Sequence, residues 1–220
     1  SILGPLIGRF GKARVAMPGG CKIGARKIDM HLSVLEALGA NFVNDHGYLY
    51  ASSPNGLHAA KVFLDFPSVG ATENMLMASV ATEGTTVIDN AAREPEIVDL
   101  ANMLNEMGAC VQGAGTSTIV VHGVALSDMH PCEHWVVGDR IEAGTYLTAG
   151  ALLGGPITVE GIDPEFLRTV LMKFEEMGAN ILTTEDSITV SRTEPLRPTD
   201  IQTLPHPGFP LSLIHISEPT

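Results

Sequence analysis

Apolar residues recur at helical spacing in three separate stretches of the chain, and each stretch stops on the same signal. In the middle stretch Ile97, Leu100, Ala101 and Leu104 make one apolar face behind Pro95, which suits a first helical turn, and Gly108 supplies a left-handed stop. In the last stretch Asp163 caps, Pro164 starts, Leu167, Val170, Leu171 and Phe174 face inward, and Gly178 ends the helix. The first such helix begins at Asp29 and runs to Gly39. The three ends read LEALGANF, LNEMGACV and FEEMGANI, with their glycines about 70 residues apart, so the chain reads as a repeated supersecondary unit.

Between the helices lie short runs of β-branched residues. TTVID, TIVVHG and PITVEG read as strands, and NILTT and SITVSR read as a pair. Helices alternating with short strands predict an α/β fold in which helices pack on mixed sheets. A dinucleotide-binding fold is disfavoured, because no Gly-x-Gly-x-x-Gly follows a strand. GRFGKAR resembles a phosphate loop only as far as Ala13, where the Ser or Thr that would hold magnesium is absent.

Charge adds a second pattern. The 220 residues carry a formal net charge of −12, which argues against nonspecific binding to nucleic acid or to an anionic membrane. Yet Arg9, Lys12, Arg14, Lys22, Arg26 and Lys27 all precede the first acidic residue, Asp29. A basic corner in an acidic protein points to a local site for a small anion; a ligand-free basic strip is the alternative. Three cysteines without framework spacing suit a reducing cytoplasm. No signal peptide is visible, and AGTYLTAGALLGGPITV is too short and too broken by Gly154, Gly155 and Pro156 to span a bilayer.

Within the basic corner, MPGGCKIGARKIDMH sets Cys21 on a two-glycine turn beside Lys22 and Arg26. Positive neighbours stabilise a thiolate, and glycines expose it; against that, cysteine is often simply buried and inert, and spacing alone leaves both readings open. PGGCKIGARKIDMH, DFPSVGATEN, GTTVIDNAAREPEIVDLANMLNEMGA, DRIEAGTYL and TLPHPGFP together resemble the bacterial UDP-N-acetylglucosamine 1-carboxyvinyltransferases, from Ser1 to about Pro210. The resemblance implies a two-domain, inside-out α/β barrel built from βαβαββ units. It implies transfer of the enolpyruvyl group of phosphoenolpyruvate to the 3-hydroxyl of UDP-N-acetylglucosamine, without metal or organic cofactor.

Carried over residue by residue, the resemblance makes Cys21 the loop cysteine that adds to phosphoenolpyruvate and donates a proton, and Arg26 a phosphate-binding arginine. It makes Lys27, Ile28, Asp29 and Met30 the lining of the uridine end, and Ser68, Val69 and Gly70 a turn that contacts the UDP moiety. His31 stays open between a hydrogen bond to substrate and a surface or packing role.

His130, Cys132 and His134 alternate in MHPCEHW, but a fourth ligand at familiar spacing is missing, so a metal is not expected. Cys110 is expected to be partly buried and unreactive, and Arg93 with Glu94 to pair at the surface. The resemblance places the later part of the first barrel domain at 1–136 and the first part of the second at 137–210. The residues 211–220 depart from it, read as a non-native tail, and are left out of fold reasoning. The Asp expected near Ser212 as general base, an early lysine and later arginines are absent, so this chain alone is expected to be inactive. With covering sheets missing, Leu167, Val170, Leu171 and Phe174 are expected to be exposed.

Overall fold

The computed structural model describes residues 2–17 and 28–214. The chain divides into two compact units, Ser1–His134 and Trp135–Thr220.

The first unit holds two copies of one pattern. Helix α1 (Leu3–Phe10), strand β1 (Lys12–Ala16), helix α2 (Asp29–Ala37) and the hairpin β2 (Asn41–Asp45) and β3 (Tyr48–Ser52) make the first copy. Strand β4 (Lys61–Phe63) opens the second, followed by α3 (Val69–Ser79), β5 (Thr85–Asp89), α4 (Pro95–Glu106), β6 (Cys110–Gln112) and β7 (Thr118–His122). Their sheets have the orders β1-β3-β2 and β4-β5-β7-β6. In both, the last strand of the hairpin lies in the middle and pairs antiparallel with its neighbours, and β4 adds a parallel strand at the edge of β5.

The second unit repeats the pattern once more with α5 (Arg140–Leu153), β8 (Ile157–Glu160), α6 (Arg168–Met177), β9 (Asn180–Thr183) and β10 (Ser187–Ser191), in the order β8-β10-β9. The predicted helix over 163–177 begins with a 3-10 turn at Pro164–Leu167, capped by Asp163, whose carboxylate accepts from the Glu165 amide at 2.9 Å. Proline at the first position and an Asx cap together favour that tight start.

The three predicted helix stops share one geometry. Gly39, Gly108 and Gly178 sit at φ of +98°, +98° and +96°, where an L side chain would be strained. After each, an alanine amide reaches back to the helix: Ala40 to Leu35, Ala109 to Leu104 and Ala179 to Phe174, at 3.0, 2.9 and 2.9 Å. These bonds satisfy carbonyls that the helix end would otherwise leave bare. Residues beyond each hairpin then return to the same helix end, where the amides of His58, His130 and Arg197 donate to the carbonyls of Leu38, Met107 and Met177.

Strand alternation divides each sheet into a covered and an open face. In the first, Leu49 and Ala51 are buried and Ala13, Val15 and Phe42 pack against the same core, whereas Lys12, Arg14, Tyr48 and Tyr50 are exposed. The cores are built from helix faces against these covered sides, with Met75, Leu76, Ile88 and Ile97 fully buried in the first unit and Leu147 and Ile188 in the second.

One expectation is overturned. Leu167, Val170, Leu171 and Phe174 are buried, because α6 packs on residues of its own unit, including Ile188 and Val190 of the central strand. The start of the segment left out of fold reasoning also takes part in packing. Leu211–Leu213 forms a 3-10 turn, and Leu213 is buried against α5, where a Cβ on Gly144 would lie 2.7 Å from its methyl.

Candidate functional site

Two helix starts meet in the first unit. Helix α3 begins at Ser68, an extended residue whose hydroxyl accepts from the Ala71 amide at 3.4 Å. Thr72 secures the turn by donating to the Ser68 carbonyl at 2.8 Å, and its oxygen accepts from the Ala92 amide at 3.1 Å. Helix α2 begins after Ile28, with no side-chain cap, and carries Asp29 exposed in its first turn. The first amides of a helix lack internal acceptors and carry the positive end of its dipole, so such starts favour anions.

The two starts touch through His31 and Gly70. A Cβ placed on Gly70 would lie 2.5 Å from His31 Cε1, so glycine is what lets the imidazole lie against the first turn of α3. Asn74, one turn further along α3 and almost wholly buried, holds this contact. Its amide nitrogen donates to His31 Nδ1 at 2.8 Å and to the Gly70 carbonyl at 3.1 Å, and its oxygen accepts from the Gly4 amide of α1 at 2.7 Å. Gly4 in turn lies so close to the α3 backbone that a side chain there would overlap the Asn74 carbonyl. Burial holds the His31 imidazole below its ordinary range, with the Glu73 carboxylate pulling weakly the other way.

Thus Ile28, Asp29, Met30 and His31 are placed on the first turn of α2 or at its start, and Ser68, Val69 and Gly70 on the start of α3; the His31–Gly70 contact brings the two groups together. Cys21, Arg26 and Lys27 lie outside the described residues. Lys12 and Arg14 lie on the open face of the first sheet, where the Arg14 guanidinium stacks 4.0 Å from the Tyr48 ring and 5.3 Å from that of Tyr50.

Other expectations meet the structure differently. Glu94 is not a surface partner of Arg93. It is buried at the start of α4, and its Oε2 has no hydrogen-bond partner among the described residues. The AAREPEI pattern hides this, because a helix entry and a buried carboxylate look alike in sequence. Cys110 is half-buried at the head of β6. His134 lies across α4, with Nδ1 2.9 Å from Glu106 and Nε2 3.0 Å from Asp99, and both carboxylates raise its pKa, Glu106 the more strongly. Cys132 faces the Met103 carbonyl and His130 the carbonyl of Pro131, so the three alternating residues do not converge. Among the described residues no three His, Cys, Asp or Glu side chains are grouped to hold a metal, and no helix is long and apolar enough to cross a membrane.

The second unit has a concavity of about 460 Å³ between α5 and β8. Its lining includes Asp139, Glu142, Tyr146 and Glu160. Three carboxylates make it a poor seat for a phosphate, and none of the expected site residues lines it.

The family model for EPSP synthase (3-phosphoshikimate 1-carboxyvinyltransferase) matches residues 1–216. The chain belongs to the EPSP synthase family. Within that family it is 52% identical over 212 residues to UDP-N-acetylglucosamine 1-carboxyvinyltransferase 2 of Staphylococcus saprophyticus, a match that covers 96% of this chain and 50% of the relative. It is 50% identical to UDP-N-acetylglucosamine 1-carboxyvinyltransferase 1 of Staphylococcus aureus, with the same coverage. The chain therefore spans about half the length of the curated relatives it matches.

Solved structures agree on the EPSP synthase family fold. The enolpyruvyl transferase NikO of Streptomyces tendae superimposes with a TM-score of 0.75 at 24% identity, over 90% of this chain and 47% of that one. An EPSP synthase of Acinetobacter baumannii gives 0.55 at 18% identity, over 86% and 44%. At these identities the likeness concerns fold alone. The fold is of the enolpyruvyl transferase type, as the sequence led us to expect. Asn74 is the residue that sequence reasoning missed: it stands at the end of DFPSVGATEN, where only its burial between three helices marks it out.

Proposed function

We propose that the protein to which this chain belongs transfers the enolpyruvyl group of phosphoenolpyruvate to the 3-hydroxyl of UDP-N-acetylglucosamine, in the cytoplasm of a bacterium that builds peptidoglycan. The observation that carries the proposal is the 52% identity, sustained over 96% of the chain, to a relative named for that reaction. The meeting of two helix starts at His31 and Gly70 supports it, since a nucleoside diphosphate offers the negative charge that bare amides favour.

In this reading Ser68, Val69 and Gly70 hold the diphosphate end, and Ile28, Asp29 and Met30 line the uridine end with Lys27. Arg26 grips phosphate with its planar guanidinium, and Cys21 adds to phosphoenolpyruvate and supplies a proton. A shikimate-type transferase is the rival within the family, and a non-catalytic sugar-nucleotide-binding module is the rival outside it. Phosphate release from phosphoenolpyruvate by the full-length protein separates all three. Release with UDP-N-acetylglucosamine and not with shikimate 3-phosphate is expected; the reverse preference, or binding without release, overturns the proposal.

A further inference from the structure

We propose that Asn74 is a positioning residue for the sugar-nucleotide site: by donating to His31 Nδ1 it fixes the imidazole as the neutral Nε2–H form, a hydrogen-bond donor held on the first turn of α3. The inference rests on the function proposed above for the Ser68–Gly70 turn.

The orientation of Asn74 is determined by its other partners. The Gly4 amide can only donate, so the atom 2.7 Å from it must be the Asn74 oxygen. The Gly70 carbonyl can only accept, so the atom 3.1 Å from it must be the Asn74 nitrogen. That same nitrogen lies 2.8 Å from His31 Nδ1, which therefore accepts and carries no proton. A neutral imidazole with a bare Nδ1 has its proton on Nε2. The ring lies against Gly70, with Nε2 3.1 Å from where a Cβ would stand, so the donor is presented at the start of α3.

This arrangement adds one neutral donor where two helix starts offer amides, and a cation at the same place is opposed by the Asn74 amide hydrogens. One buried amide thereby sets the tautomer, ties the first turn of α2 to that of α3, and caps the start of α1. The residue reaches no ligand itself; it works through His31.

The test uses the full-length protein near neutral pH. A long-range nitrogen–proton correlation spectrum reads the His31 tautomer directly and needs no substrate; Nε2–H is expected, and a proton on Nδ1 overturns the inference whether or not any variant folds. Asn74→Asp keeps an acceptor for Gly4 and removes the donor to His31, so the proton should move to Nδ1. KM for UDP-N-acetylglucosamine should rise about tenfold, with kcat and KM for phosphoenolpyruvate within roughly threefold. His31→Gln, whose amide can accept from Asn74 and still donate, should retain more affinity than His31→Leu. A KM for UDP-N-acetylglucosamine that stays unchanged while the tautomer changes also overturns the inference. A wild-type protein that ignores UDP-N-acetylglucosamine overturns the functional reading instead, and the imidazole spectrum still judges the part assigned to Asn74.

Discussion

His31 and Gly70 are packed so tightly that the second residue of α3 has no room for a side chain: the nearest ring atom is 2.5 Å from the position of a Cβ. Gly70→Ala must therefore push the imidazole off α3 or draw the two helices apart. We expect a loss of about 1 to 3 kcal/mol of stability, the usual cost of overpacking, together with weaker binding of UDP-N-acetylglucosamine. Denaturant unfolding and calorimetric titration of the variant check both; a fully stable variant with unchanged affinity would mean the contact is not tight in solution.

His31 and His134 should show opposite pH behaviour. The folded pKa of His31 is lowered by burial, so its contribution to stability is present above the unfolded value of 6.5 and is lost as pH falls through the folded pKa. The folded pKa of His134 is raised by Glu106 and Asp99, so its contribution is fully present below 6.5 and is lost as pH rises through the folded pKa. Proton NMR titration should place the two on either side of a free histidine, and His134→Gln should flatten the decline in melting temperature on the alkaline side. Coincident titration of the two rings would contradict the geometry.

The helix stops give a graded prediction. Gly178 has open space where a side chain would go, so Gly178→Ala should cost only the left-handed backbone, about 1 to 2 kcal/mol. At Gly108 the same Cβ would also lie 2.9 Å from the Asp128 carbonyl, so Gly108→Ala should cost more. Urea unfolding of the two variants checks the order, and a larger loss at Gly178 would sink it.

Among the thiols, Cys21 should be alkylated first, on the strength of its basic sequence neighbours. Cys110 and Cys132 are both half-buried, which limits a reagent's access to them. Peptide mapping after limited iodoacetamide treatment decides the matter; early label on Cys110 or Cys132 would refute the ranking.

What the sequence disclosed follows from how local each feature is. Helix stops at Gly39, Gly108 and Gly178 and strands β5, β7, β8, β9 and β10 depend on short-range backbone preference and alternation, so they were legible residue by residue, whereas β1, β3 and β4 were not read. Glu94 and Asn74 were not, because their burial is decided by residues distant in the chain: Asn74 meets Gly4 seventy positions away. The exposed stacking of Arg14 on Tyr48 and Tyr50 was hidden for the same reason, since strand register brings those residues together. Counting cations along the chain could not reveal which face of a sheet they would occupy.

The returning amides of His58, His130 and Arg197 make each module finish its own helix with its own downstream residues. A module so sealed requires no foreign peptide group to complete that end, and so it can be copied in tandem without leaving a ragged seam. Drift in the hairpin or in the return path is then a private matter of one copy, which is how three modules that differ widely in side chains can retain the same joint.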